Sequence, residues 1–497
     1  MHDLLQHLVQ WRLLPLGSVE FVSVEFALFL LLFLPLYWAC GHSFRAQNGL
    51  LLAASLGWLL LLNPLFALVL VLYSGLIVAT AAGLHRAVQS AAHDPEAGRP
   101  WLLAGIAFAL VHLALYKYAG AFRSLMPPAF QSGTARILMP LGLSYYTLQS
   151  LSYLVALYRR RIRPWPWYEV PLYLAFFPTV SAGPIWRADS MESIAGEGWA
   201  ADPQLHSPRQ PVRPALAFGL LFLGLLKIWW LAATLNDGFV EPVFANPDSF
   251  DSFSILLAIY GYTAQLYLNF SGHADLAIGT AMLLGFRLPP NFAAPFFAHN
   301  LREFWRRWHI SLSTWIRDYV YIPLGGSHAG FRRTQLNVIL AMCLSGLWHG
   351  SGWCFFLWGL LHGLGLVALN LGDAFFDRRD ALAETWPGRA LGILCTLSFV
   401  AFAFLVFRSE TLDEVAGVLA ALLAHVAVLP PLGSVIAALL LLLALLSWPL
   451  WQMLFRGLVC LLEEMPMLLW CLPLGLLAFF LLIVAPSGVP GFIYATF

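Results

Sequence analysis

The chain has 497 residues, of which 60% are hydrophobic and 11% are charged, and its mean hydropathy is +0.75. A soluble core does not need this much apolar side chain, so the composition excludes an ordinary soluble protein. The near balance of 27 Lys and Arg against 26 Asp and Glu argues against a nucleic-acid-binding protein, which would show a basic face. We therefore predict an all-α, polytopic integral membrane protein whose surroundings are the lipid bilayer, with no nucleic-acid partner.

Residues 1–21 do not resemble a cleavable signal peptide. They carry His2, Asp3, His7 and Trp11 instead of a basic start followed by a short apolar stretch. We predict an N-terminal extension that either lies on the membrane surface as an amphipathic helix or frays.

Apolar segments then recur along the chain. A helix of about 20 residues spans the bilayer hydrocarbon, and several of these segments are shorter. They lie at 22–40, 50–63, 65–84, 101–120, 137–158, 168–182, 214–235, 253–270, 337–348, 352–371, 389–407, 415–429, 435–451 and 467–485.

Prolines interrupt two of the apolar runs, at Asn63-Pro64 and at Pro289-Pro290 with Pro295. Such breaks predict half-helices or re-entrant segments. Irregular backbone is tolerated at membrane depth only where protein or a water-filled cavity satisfies it, so we predict that residues 274–348 line a cavity. Two basic loops, 159–163 and 332–333, belong on the cytoplasmic face by the positive-inside rule.

The segment 302–319 concentrates charge in an otherwise apolar chain. If it is one helix, Arg302, Arg306 and His309 share a stripe, and Phe304, Trp308 and Trp315 share another. The neighbouring cations should then lower the proton affinity of His309, which leaves a neutral imidazole able to accept a proton. Alternatively, the segment is a juxtamembrane helix whose arginines contact lipid phosphates. The spacing does not choose between the two.

A second histidine, His349, lies in the sequence Gly346-Leu-Trp-His-Gly350 at the end of an apolar run. A neutral imidazole is a usable base near neutral pH, and the flanking glycines let a substrate approach closely. Alternatively, glycines at four-residue spacing only let helices pack tightly, and His349 hydrogen-bonds a neighbouring helix. We interpret His362, farther along, as structural. The six cysteines form no CxxC pair, which argues against a disulfide framework or a zinc site.

An ordered set of motifs gives the chain a family resemblance. The motifs are Pro140–Tyr158, Phe177–Pro184, Asn269–Asp275, Arg302–Ser313, Asp318–Gly326, Leu347–Gly350 and Phe407-Arg408. Together they resemble the membrane-bound O-acyltransferase family, and most closely its bacterial branch that acetylates exopolysaccharides such as alginate or cellulose. The resemblance runs in order from about Phe26 to Phe407. It departs from the family pattern at Asn269 and His273, whereas Asp275 matches.

The resemblance implies a helical shell with re-entrant segments and a central tunnel between a cytoplasmic donor and an acceptor on the other side. It implies a catalytic core at 22–410. Residues 411–497 match the family in little beyond hydrophobicity, and we predict C-terminal transmembrane helices there. It also implies that His349 is catalytic and that His309 assists it. No metal is expected.

Acyl transfer from a thioester to a hydroxyl needs a base, donors for the oxyanion and exclusion of water. Residues that suit the donor's phosphates or carbonyl are Arg302, Arg306, Arg307 and Arg317, with Trp348, Asn337 and Ser345 as helpers. The expected donor is acetyl-CoA, or an acyl thioester on a phosphopantetheine carrier as in D-alanyl export, with no bound cofactor. The expected acceptor is a polysaccharide, reached through a separate extracytoplasmic transferase, at a bacterial inner membrane.

Two other classes of function stay open at this point. A polytopic transporter or flippase would use His309 and His349 as a proton relay. A structural membrane subunit would leave the chemistry to its partner. The ordered motifs favour the acyltransferase over the transporter.

Overall fold

The computed structural model describes residues 22–90, 94, 96–118, 139–189, 204–205, 208–328, 330–376, 384–426 and 428–484. All regular secondary structure in these ranges is helical, which confirms the all-α prediction. The predicted extension at 1–21 lies outside the described residues. The chain divides into two compact units, Met1–Pro214 with Thr280–Pro289 and Ala215–Gly279 with Pro290–Phe497.

The helices of the first unit pack around aromatic side chains. Tyr73, for example, is 1% exposed, and its hydroxyl hydrogen-bonds Ser150 at 2.6 Å. The helices are α1 (Val24–Ala39), α2 (Phe44–Leu62), α3 (Pro64–Ser90), α4 (Arg99–Lys117), α5 (Leu143–Tyr158) and α6 (Glu169–Ala175).

The second unit contains the charged segment and both candidate histidines. Its helices are α7 (Pro214–Ala245), α8 (Ser252–Leu283), α9 (Leu301–Arg307), α10 (Ile310–Ile316), α11 (Phe331–His349), α12 (Trp353–Phe376), α13 (Trp386–Arg408), α14 (Leu412–Ala424), α15 (Leu432–Leu446), α16 (Trp448–Glu464) and α17 (Cys471–Val484).

Seven helical segments within the described ranges are long and apolar enough to cross a membrane, which confirms the polytopic prediction. They are α2, α3, α4, α7, α12, α13 and the segment Met467–Val484 that contains α17. The helices α15 and α16 meet at 57° and would add an eighth span if they cross together. The apolar run at 168–182 forms only the seven-residue α6, so it is too short to cross, as expected.

The break at Asn63-Pro64 is confirmed, but the prediction of half-helices there is wrong. Asn63 ends α2 in an extended conformation, and Pro64 starts α3. The Asn63 side chain accepts a hydrogen bond from the Leu65 N–H at 2.9 Å, which satisfies one of the first amides of α3. Each of the two helices is long enough to span by itself. Pro64 lies at the start of α3, where a proline is compatible with the helix, and therefore does not break it.

The second break is different. After α8 ends at Leu283, the chain is irregular up to Asn300 apart from a single 3₁₀ turn at Pro295–Phe297, and α9 and α10 have only seven residues each. Neither short helix can cross a bilayer, which fits the predicted re-entrant path. That this region lines a cavity stays a prediction.

A buried ion pair lies in the apolar span α7. Lys227 Nζ is 2.6 Å from the Asp275 carboxylate on α8, where α7 adopts a π-helical turn at Leu226–Ala232. A lone charge at this depth is costly, and pairing offsets part of that cost. Asp275, the matching acid of the Asn269–Asp275 motif, therefore fixes α7 against α8.

Helices α11 and α12 form a tight hairpin that carries His349. A Cβ atom at Gly359 would overlap the Met342 carbonyl oxygen, and one at Gly363 would lie 3.0 Å from the Ile339 Cα. The glycines therefore let the two backbones touch, which confirms the packing interpretation of this spacing.

We predict that Gly359→Ala destabilises the hairpin by about 1–3 kcal/mol, because the overlapping atom is backbone and cannot rotate away. The control is Gly372→Ala on the same helix, where nothing lies within 4 Å of the added atom. Thermal unfolding in detergent should show a lower midpoint for Gly359→Ala alone. Equal midpoints for the two variants would contradict the close packing.

Candidate active site

The segment 302–319 is not one helix, so the predicted stripe of Arg302, Arg306 and His309 is wrong. Helix α9 ends at Arg307, Trp308 is extended, and His309 adopts the left-handed conformation with φ 43° and ψ 53°. Helix α10 then begins at Ile310. A left-handed conformation costs a non-glycine residue about 1–2 kcal/mol, so other contacts must hold the chain here.

Asn291 supplies those contacts. Its carbonyl oxygen accepts a hydrogen bond from the Ile310 N–H at 3.0 Å. Its side-chain oxygen accepts from the Ser311 N–H at 3.2 Å and from the Ser311 hydroxyl at 2.8 Å. The Ala293 N–H donates to the Arg307 carbonyl at 3.0 Å. The strand-like pairing of 291–293 with 307–310 therefore replaces the helical hydrogen bonds that the break removes.

Asn291 also fixes the tautomer of His309. The Ser311 backbone N–H can only donate, so the Asn291 atom that it contacts is the oxygen. This same oxygen lies 3.3 Å from His309 Nδ1, which must therefore carry the proton. The other nitrogen, Nε2, keeps its lone pair, and it is buried without a hydrogen-bond partner among the described residues.

His309 is neutral for a reason other than the one predicted. It is 1% exposed, and burial lowers its pKa, whereas the nearby cations are not the cause. The Phe270 ring meets it edge-on at 4.7 Å between ring centres. The result is a neutral imidazole with one available lone pair in apolar surroundings.

His349 lies close to His309. It is the last residue of α11, it is 4% exposed, and its ring centre is 6.4 Å from that of His309. The Trp348 ring lies beside both, 4.8 Å from His349 and 6.0 Å from His309. The structure thus brings together the two histidines that the sequence separates by forty residues.

Aromatic rings enclose His349. Trp358 meets it at 5.3 Å and 90°, and Phe407 meets it at 5.2 Å and 81°. A Cβ atom at Gly350 would overlap the Phe355 ring, and one at Gly346 would overlap the Phe355 carbonyl oxygen. The glycines of the Trp-His-Gly motif therefore serve packing and also allow α12 to close over the imidazole.

Most of the candidate donor-binding arginines are already paired with carboxylates. Arg302 pairs with Asp373 and donates to Asn370 at 3.2 Å, Arg307 pairs with Glu303 at 2.5 Å, and Arg317 pairs with Asp318 at 2.6 Å. Arg306 is exposed and has no ion pair within the described part of the chain. It is therefore the candidate whose charge is least neutralised.

Glu303 is an ionised carboxylate at the start of this segment. Burial alone would raise its pKa, but hydrogen bonds from the His299 N–H and from Arg307 outweigh burial, so the pKa lies below its usual value. The Asn300 side chain caps α9 by accepting from the Glu303 N–H at 2.8 Å. These contacts fix α9 next to the break at His309.

Asn337 has a local structural role. It is fully buried, and its amide nitrogen donates to the Leu324 and Gly326 carbonyls at 3.1 and 3.2 Å. It therefore anchors the loop before α11. All six cysteines lie in the described ranges and are free, and no group of three or more potential metal ligands occurs there.

Fold and site together define a polytopic membrane protein with a buried pair of imidazoles beside a re-entrant segment. The sequence profile of the membrane-bound O-acyltransferase family matches residues 20–406. This chain belongs to that family, and it is an acyltransferase.

Several named proteins are similar over most of their length. A "Probable alginate O-acetylase AlgI" of Pseudomonas aeruginosa is 34% identical over 409 residues, which cover 79% of this chain and 72% of that protein. A peptidoglycan O-acetyltransferase of Helicobacter pylori is 30% identical, covering 65% of this chain and 64% of that protein. A teichoic acid D-alanyltransferase of Streptococcus thermophilus is 30% identical over a stretch that covers 56% of this chain and 70% of that protein.

Sequence reasoning missed Asn291. The only signal was a polar residue directly after Pro289-Pro290, a place where a loop side chain commonly satisfies backbone groups. Its long-range contact with His309 is not visible in the local pattern.

We predict that Asn291→Leu slows acyl transfer about 10- to 100-fold, because His309 loses the acceptor that fixes its tautomer. Asn291→Asp keeps an acceptor and should retain activity. Its carboxylate favours the imidazolium and raises the pKa of His309, so the acid limb of the pH–rate profile should move to higher pH. Ser311→Ala, which removes a donor to the same oxygen, is the control and should stay near the wild-type rate. A wild-type rate in Asn291→Leu would contradict the role.

Proposed function

We propose that this protein transfers an acetyl group from a cytoplasmic thioester to, or toward, hydroxyl groups of an extracytoplasmic polysaccharide. The observation that carries the proposal is the pair of buried imidazoles, His309 and His349, 6.4 Å apart in an aromatic enclosure. Similarity to proteins named for alginate and peptidoglycan O-acetylation supports a glycan acceptor.

In this proposal His349 is the general base. It removes the proton of the acceptor hydroxyl as the oxygen attacks the thioester carbonyl. The tetrahedral intermediate then collapses, the C–S bond breaks, and the proton passes from His349 to the leaving thiolate. The aromatic rings exclude water, which would otherwise hydrolyse the thioester. Direct transfer needs no acyl-imidazole intermediate.

His309 acts as a hydrogen-bond acceptor in this scheme. Its Nδ1–H is directed to Asn291, so only the Nε2 lone pair is available to a substrate. A hydroxyl or thiol hydrogen is the matching partner. We propose that His309 orients that hydrogen while His349 removes the proton.

The donor in this proposal is acetyl-CoA. Its phosphates cannot cross hydrocarbon, so its charged part stays at the cytoplasmic side. Arg306, Arg332 and Arg333 are exposed, and they supply positive charge for it there. A phosphopantetheine carrier protein is the second candidate donor, favoured by the similarity to a teichoic acid D-alanyltransferase.

The final acceptor is reached through a separate extracytoplasmic transferase, and the protein resides in a bacterial inner membrane. The aromatic enclosure of His349 suits a small acyl group better than a polymer chain. A short-lived acetylated carrier is therefore a reasonable link between this site and a polysaccharide.

We predict that His349→Ala lowers thiol release from acetyl-CoA by about 10²- to 10⁴-fold while the protein still inserts, because the base is lost. His328→Ala, at an exposed histidine of the same unit, is the control. Thiol release is measured with a thiol reagent on the purified variants, each supplied with an extracytoplasmic transferase and its glycan as the acyl acceptor. Normal release by His349→Ala would reject His349 as the base.

We predict that Arg306→Ala raises the KM for acetyl-CoA about threefold at low salt and leaves kcat unchanged, because an exposed charge steers a charged ligand. The difference should disappear at high salt, where screening removes the attraction. If kcat falls and KM stays constant, Arg306 acts in the chemistry and not in donor capture.

We predict that the purified chain alone does not acetylate a soluble glycan and that an added extracytoplasmic transferase restores the reaction. Incorporation of labelled acetyl into the glycan measures this outcome. Full glycan acetylation by the chain alone would contradict the relay but not the acyl transfer itself.

A further inference from the structure

Three polar aromatic side chains form a compact cluster next to the imidazole pair. The ring centre of His362 lies 5.0 Å from Trp305 and 4.9 Å from Trp358, and the two indoles are 5.7 Å apart. His362 and Trp358 are 0% and 1% exposed. We call these three residues the indole–imidazole box.

The polar atoms of the box are unsatisfied by protein. Trp305 Nε1, Trp358 Nε1 and both ring nitrogens of His362 are buried and have no hydrogen-bond partner among the residues that the structure describes. The hydrogen bond to a neighbouring helix that a structural role for His362 implies is thus not found there. Each unmet buried group costs about 1–3 kcal/mol, so four of them in one place point to a ligand.

The walls of the box are apolar. Phe304 stacks on His362 at 6.3 Å with ring planes 10° apart, and Phe399 meets it edge-on at 5.4 Å. No acidic side chain belongs to this set of rings, which disfavours a cation. A small neutral group with hydrogen-bonding atoms suits the box best.

The box connects the charged segment, to which Trp305 belongs, with the surroundings of His349, which Trp358 contacts. The ring centres of His362 and His349 are at most about 10 Å apart, because the Trp358 ring centre lies 4.9 Å from the first and 5.3 Å from the second. The Trp358 ring therefore lies between His349 and His362 and contacts both of them. In the other direction along α12, Asp373 holds Arg302 about three turns beyond His362.

The hydrogen-bonding pattern of the box matches a secondary amide. Indole N–H groups only donate, and a neutral imidazole has one donor and one lone pair. The box therefore offers up to three donors for a carbonyl oxygen and one lone pair for an N–H. A thioester donor of either class considered above carries such amides in its pantetheine arm, between the charged phosphate and the sulfur.

We propose that the indole–imidazole box binds an amide of the pantetheine arm and so sets the depth at which the thioester meets His349. This inference rests on the proposed thioester chemistry. It applies equally to acetyl-CoA and to a carrier-protein donor, because the arm is common to both. The three residues bind substrate in this view and take no part in proton transfer.

The test compares two donors in the purified full-length protein, supplied with an extracytoplasmic transferase and its glycan as the acyl acceptor: S-acetylpantetheine, which has both amides, and ethyl thioacetate, which has none. Wild type should favour the amide-bearing donor in kcat/KM. Trp305→Phe and His362→Leu should each reduce kcat/KM for S-acetylpantetheine about tenfold and leave ethyl thioacetate unchanged. Trp353→Phe, at an exposed tryptophan of the same helix, is the matched control.

Two further readouts separate the possible outcomes. The first readout is the midpoint of thermal unfolding, which His362→Leu should keep or raise, because it removes polar atoms that have no hydrogen-bond partner among the described residues. The second readout is the effect of added pantetheine, which should raise the unfolding midpoint of wild type but not that of His362→Leu. Equal losses for both thioesters, or unchanged preference for S-acetylpantetheine, would overturn the amide site. If wild type shows the pantetheine shift but releases no thiol, the amide site stands and the proposed function fails.

Discussion

The site depends on the contact between Asn291 and the break at Trp308 and His309. A polar segment in hydrocarbon normally stays helical, because a helix satisfies its own backbone. Here one loop residue accepts from the Ile310 and Ser311 amides, so the chain can leave the helix and return. The break places the His309 ring centre 6.4 Å from that of His349.

Charge is distributed in two different ways around this break. Arg302, Arg307 and Arg317 each have a carboxylate partner, and Lys227 pairs with Asp275 inside a span. His309 is instead neutral, and aromatic rings surround both histidines. Two of these ion pairs join helices, Lys227–Asp275 between α7 and α8 and Arg302–Asp373 between α9 and α12, whereas His309 carries no charge. This arrangement suits proton transfer in a site from which water is excluded.

Much of the architecture was predictable from the sequence. Apolar length indicated the spans, and four-residue glycine spacing indicated the close packing of α11 on α12. The path at 302–319 was not predictable, because helical periodicity describes only local geometry and the contact that breaks it comes from Asn291. The same limit applies to Arg302, whose partner Asp373 is seventy-one residues away.

The break at Asn63-Pro64 shows a related limit. Proline marks where a helix cannot continue, but it does not indicate whether the pieces on either side are half-helices or full spans. For the histidines, the motifs identified His349 and His309, whereas their distance and the neutral state of His309 required the fold. The indole–imidazole box is spread over α9 and α12, so no local pattern would find it.

The most direct test of the account is a structure of the protein with a non-hydrolysable acetyl-CoA analogue. We predict that the acyl carbonyl carbon lies within about 4 Å of the His349 ring, with the phosphates at the end of the protein that carries Arg306. An analogue held away from both imidazoles, with His349 still closed in by Trp358 and Phe407, would contradict the central claim.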